Sequence, residues 1–158
     1  MIRVGQGWDS HRLATGRALR LGGVEIPADQ GLLGHSDADV LLHAIIDALL
    51  GGAGLTDIGS QFPDTDPAYA GVSSLALLEK TKALLAAAGC QVVNIDSTIL
   101  AQQPKLAPYL PLMAERIGAA LGLPRERVSV KAKTSEGLGP VGQGLSLEAM
   151  AVVLLEQR

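Results

Sequence analysis

The block HSDADVLLHAIIDALLGGAG, residues 35–54, constrains the fold more than any other part of the chain. Val40, Leu41, Ala44, Ile45, Ala48 and Leu49 recur at helical spacing and form one apolar stripe. Asp39, His43 and Asp47 fall one turn apart in a line between the apolar rows. Ser36 followed by Asp39 makes a capping-box-like start, and Gly51 and Gly52 stop the helix. A stripe of this kind has to be buried against other elements, so the flanking sequence decides the architecture.

Residues 2–8 read as a strand, and ALRLGGVEIP reads as two short strands pivoting on Gly22 and Gly23. After the central helix comes a turn-rich stretch, TDIGSQFPDTDPAYAG. A helix capped by Ser73 or Ser74 then runs to Gly89. QVVNIDSTILA alternates like a strand, LPLMAERIGAALG is helical from about Pro111, and RVSVKAKTS is a strand. EGLGPVGQG is a glycine-rich loop, and LSLEAMAVVLLE closes the chain as a strand in preference to a helix. Strands and helices alternate without strict βαβ repetition. The expected fold is therefore an α/β (α+β) sandwich, a mixed four-stranded sheet with helices on one face plus a small hairpin. A sheet covered on one side leaves a face that a homo-oligomer would bury.

A length of 158 residues suits a single domain, 1–158, with a real core. Net charge is −3 and no run of Lys or Arg occurs, which argues against nucleic-acid binding and a basic membrane-binding face. A small-molecule substrate or a protein partner fits better. The lone Cys90 suits a reducing compartment and reads as a small buried hydrophobe. No leader-like start and no apolar run of the ~20 residues that span a bilayer is visible, so the chain reads as cytoplasmic and complete.

All three histidines lie in the first 43 residues. In GWDSHR, Asp9 and His11 fall on the same side of an extended segment. Taken alone, the pair fits a surface ion pair as well as two ligands of a divalent metal. With His43 the set becomes Asp-His-His, which leaves a fourth position open, as catalytic zinc requires. Asp39 or Asp47 could orient His43, or could simply line a solvated helix face. His35 and Ser36 stand at a helix start, where free N–H groups favour an anion, although Ser36 also serves as a plain cap. In TSEGLGPVGQG, the hydroxyls of Thr134 and Ser135 and the carboxylate of Glu136 could share phosphate and Mg²⁺, but the spacing is not a P-loop and its lysine is missing. The carboxylates of DIGSQFPDTDP could hold polyol hydroxyls or only form turns.

Five segments, GWDSH, GLLGHSDADVLLHAIIDALLGGAGLTDIG, FPDTDP, AQQPKL and KAKTSEGLG, resemble in order and spacing the 2-C-methyl-D-erythritol 2,4-cyclodiphosphate synthase family of the non-mevalonate isoprenoid pathway. The resemblance covers nearly the whole chain. It implies a homotrimer, its sheets packed around a threefold axis, with active sites between adjacent subunits. It further implies an intramolecular phosphoryl transfer that closes a cyclic diphosphate and expels CMP. By position, Asp9, His11 and His43 would bind Zn²⁺, and Glu136 would hold Mg²⁺ or Mn²⁺. His35 and Ser36 would lie by the phosphates, while Asp57, Gly59 and Asp64 would face the methylerythritol, with Phe62 and Asp66 in the same loop. Ala101 to Ala107, including Pro104, Lys105 and Leu106, would form the cytidine and phosphate pocket of a neighbouring subunit together with Lys133, Thr134 and Ser135.

Departures from the family pattern are Trp8 for a smaller aromatic, Pro140 for phenylalanine and Gln143 for arginine. The last two fall in the loop that lines the relatives' central cavity. A neutral amide cannot replace a guanidinium against phosphate, so weak or absent binding of isoprenoid diphosphates is expected there. Other readings of the same ligand set are a zinc-dependent phosphodiesterase or diphosphate hydrolase and a non-enzymatic binding trimer.

Overall fold

The computed structural model describes residues 1–158. Strand β1 (Ile2–Thr15) is followed by the hairpin β2 (Leu19–Leu21) and β3 (Val24–Ile26), then by the short β4 (Gln30–Leu32). Helices α1 (Val40–Ala53), α2 (Ile58–Gln61) and α3 (Ser74–Ala87) lead to β5 (Cys90–Leu100). Then come α4 (Leu110–Leu121), β6 (Val128–Lys133), a single helical turn α5 (Gly139–Gly142) and β7 (Ser146–Gln157). The sheet order is β4-β1-β7-β5-β6, with only the β5–β6 pair parallel. The final segment is a strand, as expected.

Three expectations need correction. The sheet has five strands rather than four, because β1 runs on to Thr15 and its end pairs Leu13, Ala14 and Thr15 with Leu32, Gly31 and Gln30. Such a three-residue edge strand has no local signature; it exists only once its partner is beside it. Helix α1 starts one residue past Asp39, whose carboxylate accepts from Leu42 N at 3.0 Å, so Asp39 rather than Ser36 is the cap. Gly51 and Gly52 do not stop that helix. Gly54, at φ 76°, closes it, and Gly52 instead lets the helix touch β1, since a Cβ there would meet the Cα of Gly5 at 3.2 Å.

The approach of α1 to β1 positions everything that follows. Gly5 and Gly7 alternate on the helix-covered side of the strand, and a Cβ on them would lie 1.8 Å from the Ala48 carbonyl oxygen and 2.0 Å from that of Ala44. No side chain fits in either place. The helix sinks onto bare backbone, and the next two residues on that side, Asp9 and His11, meet its N-terminal half. From Val40 to Leu50 only His43 and Asp47 escape full burial, so the helix is apolar on every side and its polar line is a seam in a continuous core.

The other side of the sheet has no cover within the chain. Ile2, Val4 and Trp8 of β1 are 62%, 66% and 53% exposed, and Val152 and Met150 lie beside Gln6 and Trp8 on β7. No helix is long and apolar enough to cross a membrane.

Candidate metal centre and substrate cavity

Asp9 and His11 project from β1 and His43 from the first turn of α1. Asp9 Oδ2 lies 2.8 Å from His11 Nε2 and 3.2 Å from His43 Nδ1, and the two nitrogens are 3.2 Å apart. Bonds of ~2.0–2.2 Å to a tetrahedral zinc would space its ligands about 3.3 Å apart, so three atoms already stand close to the edges of one coordination sphere. His11 Nδ1 lies 2.7 Å from the carbonyl oxygen of Leu33, which places the His11 proton on Nδ1 and leaves Nε2 free to coordinate. The donor set therefore fits zinc or a similar divalent ion.

Electrostatics within the cluster agree. Burial alone would push the Asp9 carboxyl up, but hydrogen bonds and charge from His11 and His43 overcome it and hold the group at about 2. For His11, burial favours the neutral ring, yet Asp9 and the Leu33 carbonyl outweigh it and raise its affinity for a proton. Asp9 is thus an anion that attracts positive charge to this spot.

The cluster forms one wall of a cavity of about 320 Å³. His35, Ser36, Gly59, Phe62 and Asp64 line it as well, so the structure gathers eight of the residues singled out in the sequence. Tyr69 and Phe62 close one side with rings 5.6 Å apart, edge to face. Asp57 and Asp66 sit nearby as caps, accepting from Ser60 N at 2.7 Å and Ala68 N at 2.9 Å. Neither lines the cavity.

Asp39 and Asp47 do not orient His43. Asp39 is wholly buried under the hairpin, accepting from Gly22 N at 2.9 Å and Gly23 N at 2.8 Å, while Asp47 accepts from Ile58 N at 2.8 Å and anchors α2. The side chains that reach His43 Nε2 are Ser36 at 3.1 Å and Ser74 at 2.9 Å. Ser74 bonds onward to Asp37. On sequence alone Ser74 is only a cap candidate and Asp37 has no role, because 31 and 6 residues separate them from His43 and no local period links the three.

A second group assembles at the far end of the parallel pair. Leu100 pairs with Lys133, Ala101 N donates to the Lys133 carbonyl at 2.9 Å, and Gly137 N donates to Gln102 Oε1 at 3.2 Å. Ala101–Ala107 and Lys133–Glu136 are thereby neighbours. Ala101 and Leu106 are buried, whereas Lys133, Thr134 and Glu136 are exposed. None of this group lines the cavity beside His43 in the same chain.

A family model, that of the YgbB family, matches residues 2–156. The chain belongs to this family. A YgbB relative from Gloeobacter violaceus, 2-C-methyl-D-erythritol 2,4-cyclodiphosphate synthase, is 56% identical over 156 residues, covering 99% of this chain and 96% of its own. The structure of the Plasmodium falciparum IspF CDP complex superposes with a TM-score of 0.87 at 33% identity, covering 99% and 97% of the two chains. The bifunctional IspDF of Campylobacter jejuni gives 0.96 at 39% identity over the whole of this chain, which spans 43% of that protein. Within this YgbB chain, Pro140 and Gln143 are both exposed on the α5 turn, anchored by buried Val141.

Proposed function

We propose that the chain is a cyclodiphosphate synthase, one catalytic domain over residues 1–158 acting in the cytoplasm. It converts 4-diphosphocytidyl-2-C-methyl-D-erythritol 2-phosphate to 2-C-methyl-D-erythritol 2,4-cyclodiphosphate and CMP. The observation that carries this reading is the convergence of Asp9, His11 and His43 on the cavity wall, in a chain so similar to synthases of that name.

In the reaction, the substrate's 2-phosphate oxygen attacks the β-phosphorus. The bond from that phosphorus to the bridging oxygen breaks, and its electron pair leaves with CMP. Such a transfer asks for positioning and charge neutralisation rather than a covalent nucleophile. Asp9, His11 and His43 would hold Zn²⁺ and Glu136 would hold Mg²⁺ or Mn²⁺, which would supply Lewis acidity toward the diphosphate. His35 and Ser36 hold phosphate oxygens at the cavity mouth. Gly59, Phe62 and Asp64 face the methylerythritol from the cavity wall, while Asp57 and Asp66 cap the turns that hold the same loop. Ala101, Pro104, Lys105, Leu106 and Ala107, with Lys133, Thr134 and Ser135, receive the cytidine and its phosphates.

The two groups of residues meet across the subunit boundary of a homotrimer, each site joining the metal centre of one chain to the cytidine pocket of the next. The apolar strip Ile2, Val4, Trp8 and Val152 supports this assembly, since water-exposed apolar area of that kind favours association. Gln143 presents a neutral amide where the family pattern commonly has arginine, so isoprenoid diphosphates bind weakly or not at all near the threefold axis. Tight, phosphate-dependent calorimetric binding of geranyl diphosphate would contradict that.

The deciding experiment is ³¹P NMR of the protein with the cytidine-linked substrate and Mg²⁺, before and after zinc is removed by a chelator. Coupled cyclic diphosphate signals appearing with CMP, and lost on chelation, are expected. CMP with only open phosphates would instead make the chain a hydrolase.

A further inference from the structure

Ser74 is fully buried at the start of α3, and its hydroxyl touches two partners. One is Asp37 Oδ1, within hydrogen-bond distance; the other is His43 Nε2, at 2.9 Å. A hydroxyl has one proton to give, and a carboxylate can only accept. The Ser74 proton therefore goes to Asp37, and Ser74 must accept from His43, which puts the His43 proton on Nε2. A neutral imidazole has one N–H, so Nδ1 is left bare.

Asp37 is in turn fixed by three further contacts. Its Oδ2 accepts from Ser74 N at 3.0 Å, its Oδ1 accepts from Asp39 N at 3.2 Å, and its own N–H donates to the Val72 carbonyl at 3.2 Å. The consequence appears on the other side of the ring. Nδ1 of His43, Nε2 of His11 and Oδ2 of Asp9 converge within 3.2 Å, so with the His43 proton held on Nε2 by Ser74 all three atoms can turn an electron pair to one cation.

We infer that Asp37 and Ser74 are positioning residues for metal capture, setting the tautomer of His43 so that Nδ1 is presented to the ion. The inference rests on the metal-centre reading of Asp9, His11 and His43 but not on the cyclisation reaction. Ser36, 3.1 Å from the same nitrogen, is a weaker second acceptor whose hydroxyl proton stays free for a phosphate oxygen, because its Oγ already accepts from Ala38 N.

The test uses the full chain and needs no substrate. Long-range ¹H–¹⁵N correlation on metal-free, ¹⁵N-histidine-labelled protein at pH 8 reads each tautomer directly, and only three histidines have to be assigned. His43 is expected as Nε2–H in the wild type and as a mixture in Ser74→Ala. Zn²⁺ affinity, measured by competition with a chromogenic chelator, is expected to fall about 10–100-fold in Ser74→Ala and Asp37→Asn and to recover in Ser74→Thr, which keeps the hydroxyl. A wild-type His43 protonated on Nδ1 overturns the proposal, even if the variants fail to fold. Equal Zn²⁺ affinity in wild type and Ser74→Ala overturns it too, while no Zn²⁺ binding by the wild type removes the metal centre itself.

Discussion

Asp39 shows how one buried carboxylate sets both a local structure and a pH response. It joins the hairpin to α1 by accepting from three backbone N–H groups, yet complete burial, helped by the charge of Asp37, pushes its carboxyl up to about 6 from an ordinary 3.8. The folded protein therefore binds this proton more tightly than the unfolded chain. The resulting stability cost is fully present above about pH 6, shrinks as pH falls and is gone below the ordinary value. Asp39→Asn turns an NH₂ toward a glycine N–H and should cost about 1–3 kcal/mol near neutral pH by urea unfolding. That gap should widen as pH drops from about 6 to 4, because only the wild type gains; a constant gap would contradict the shifted carboxyl. Glu136 has the opposite character. It is exposed at φ 57°, bonded only through its N–H to Thr134 Oγ1 at 3.3 Å, so nothing in the fold depends on its carboxylate. Glu136→Gln should leave thermal unfolding unchanged and lower kcat by at least about 100-fold, as expected for lost metal-borne charge stabilisation.

Among the elements, the contact between β1 and α1 bears the most on function. Gly7→Ala places a methyl 2.0 Å from the Ala44 carbonyl oxygen, where backbone rather than a flexible side chain must give way. Overpacking of this kind costs about 1–3 kcal/mol or more. The helix would also have to lift where it carries His43, so Zn²⁺ affinity should fall along with stability, both readable on one sample by chelator competition and urea titration. The same substitution at Gly51 meets nothing nearer than the Thr56 carbonyl at 4.0 Å and should leave affinity intact.

For the whole molecule, the separation of the Lys133 group from the cavity of its own chain predicts complementation between chains. Asp9→Asn and Lys133→Ala, each nearly inactive alone, should regain partial turnover after co-refolding, because some sites then join an intact metal centre to an intact pocket. Light scattering should give a trimer, and Val4→Glu, at a residue 66% exposed on the apolar strip, should shift it to monomer with loss of activity. A monomeric, fully active wild type would rule out the shared site.

The sequence by itself determined the helix-strand alternation, the Gly22-Gly23 hairpin, and the grouping of Asp9, His11 and His43, because these follow from periods of two and 3.6 residues and from ligand chemistry. Tertiary structure decided the rest. The edge strand β4, the reassignment of Gly52 from stop to packing surface, and the roles of Asp37, Ser74, Asp39 and Asp47 all depend on neighbours distant in the chain. Asp39 and Asp47 share a helix face with His43 yet turn to backbone N–H groups at Gly22, Gly23 and Ile58, while Ser74, the nearer of the two hydroxyls at His43 Nε2, arrives on α3. A helical period places residues on a face; which donor or acceptor that face meets is fixed only when the elements pack and every buried polar group must find its partner.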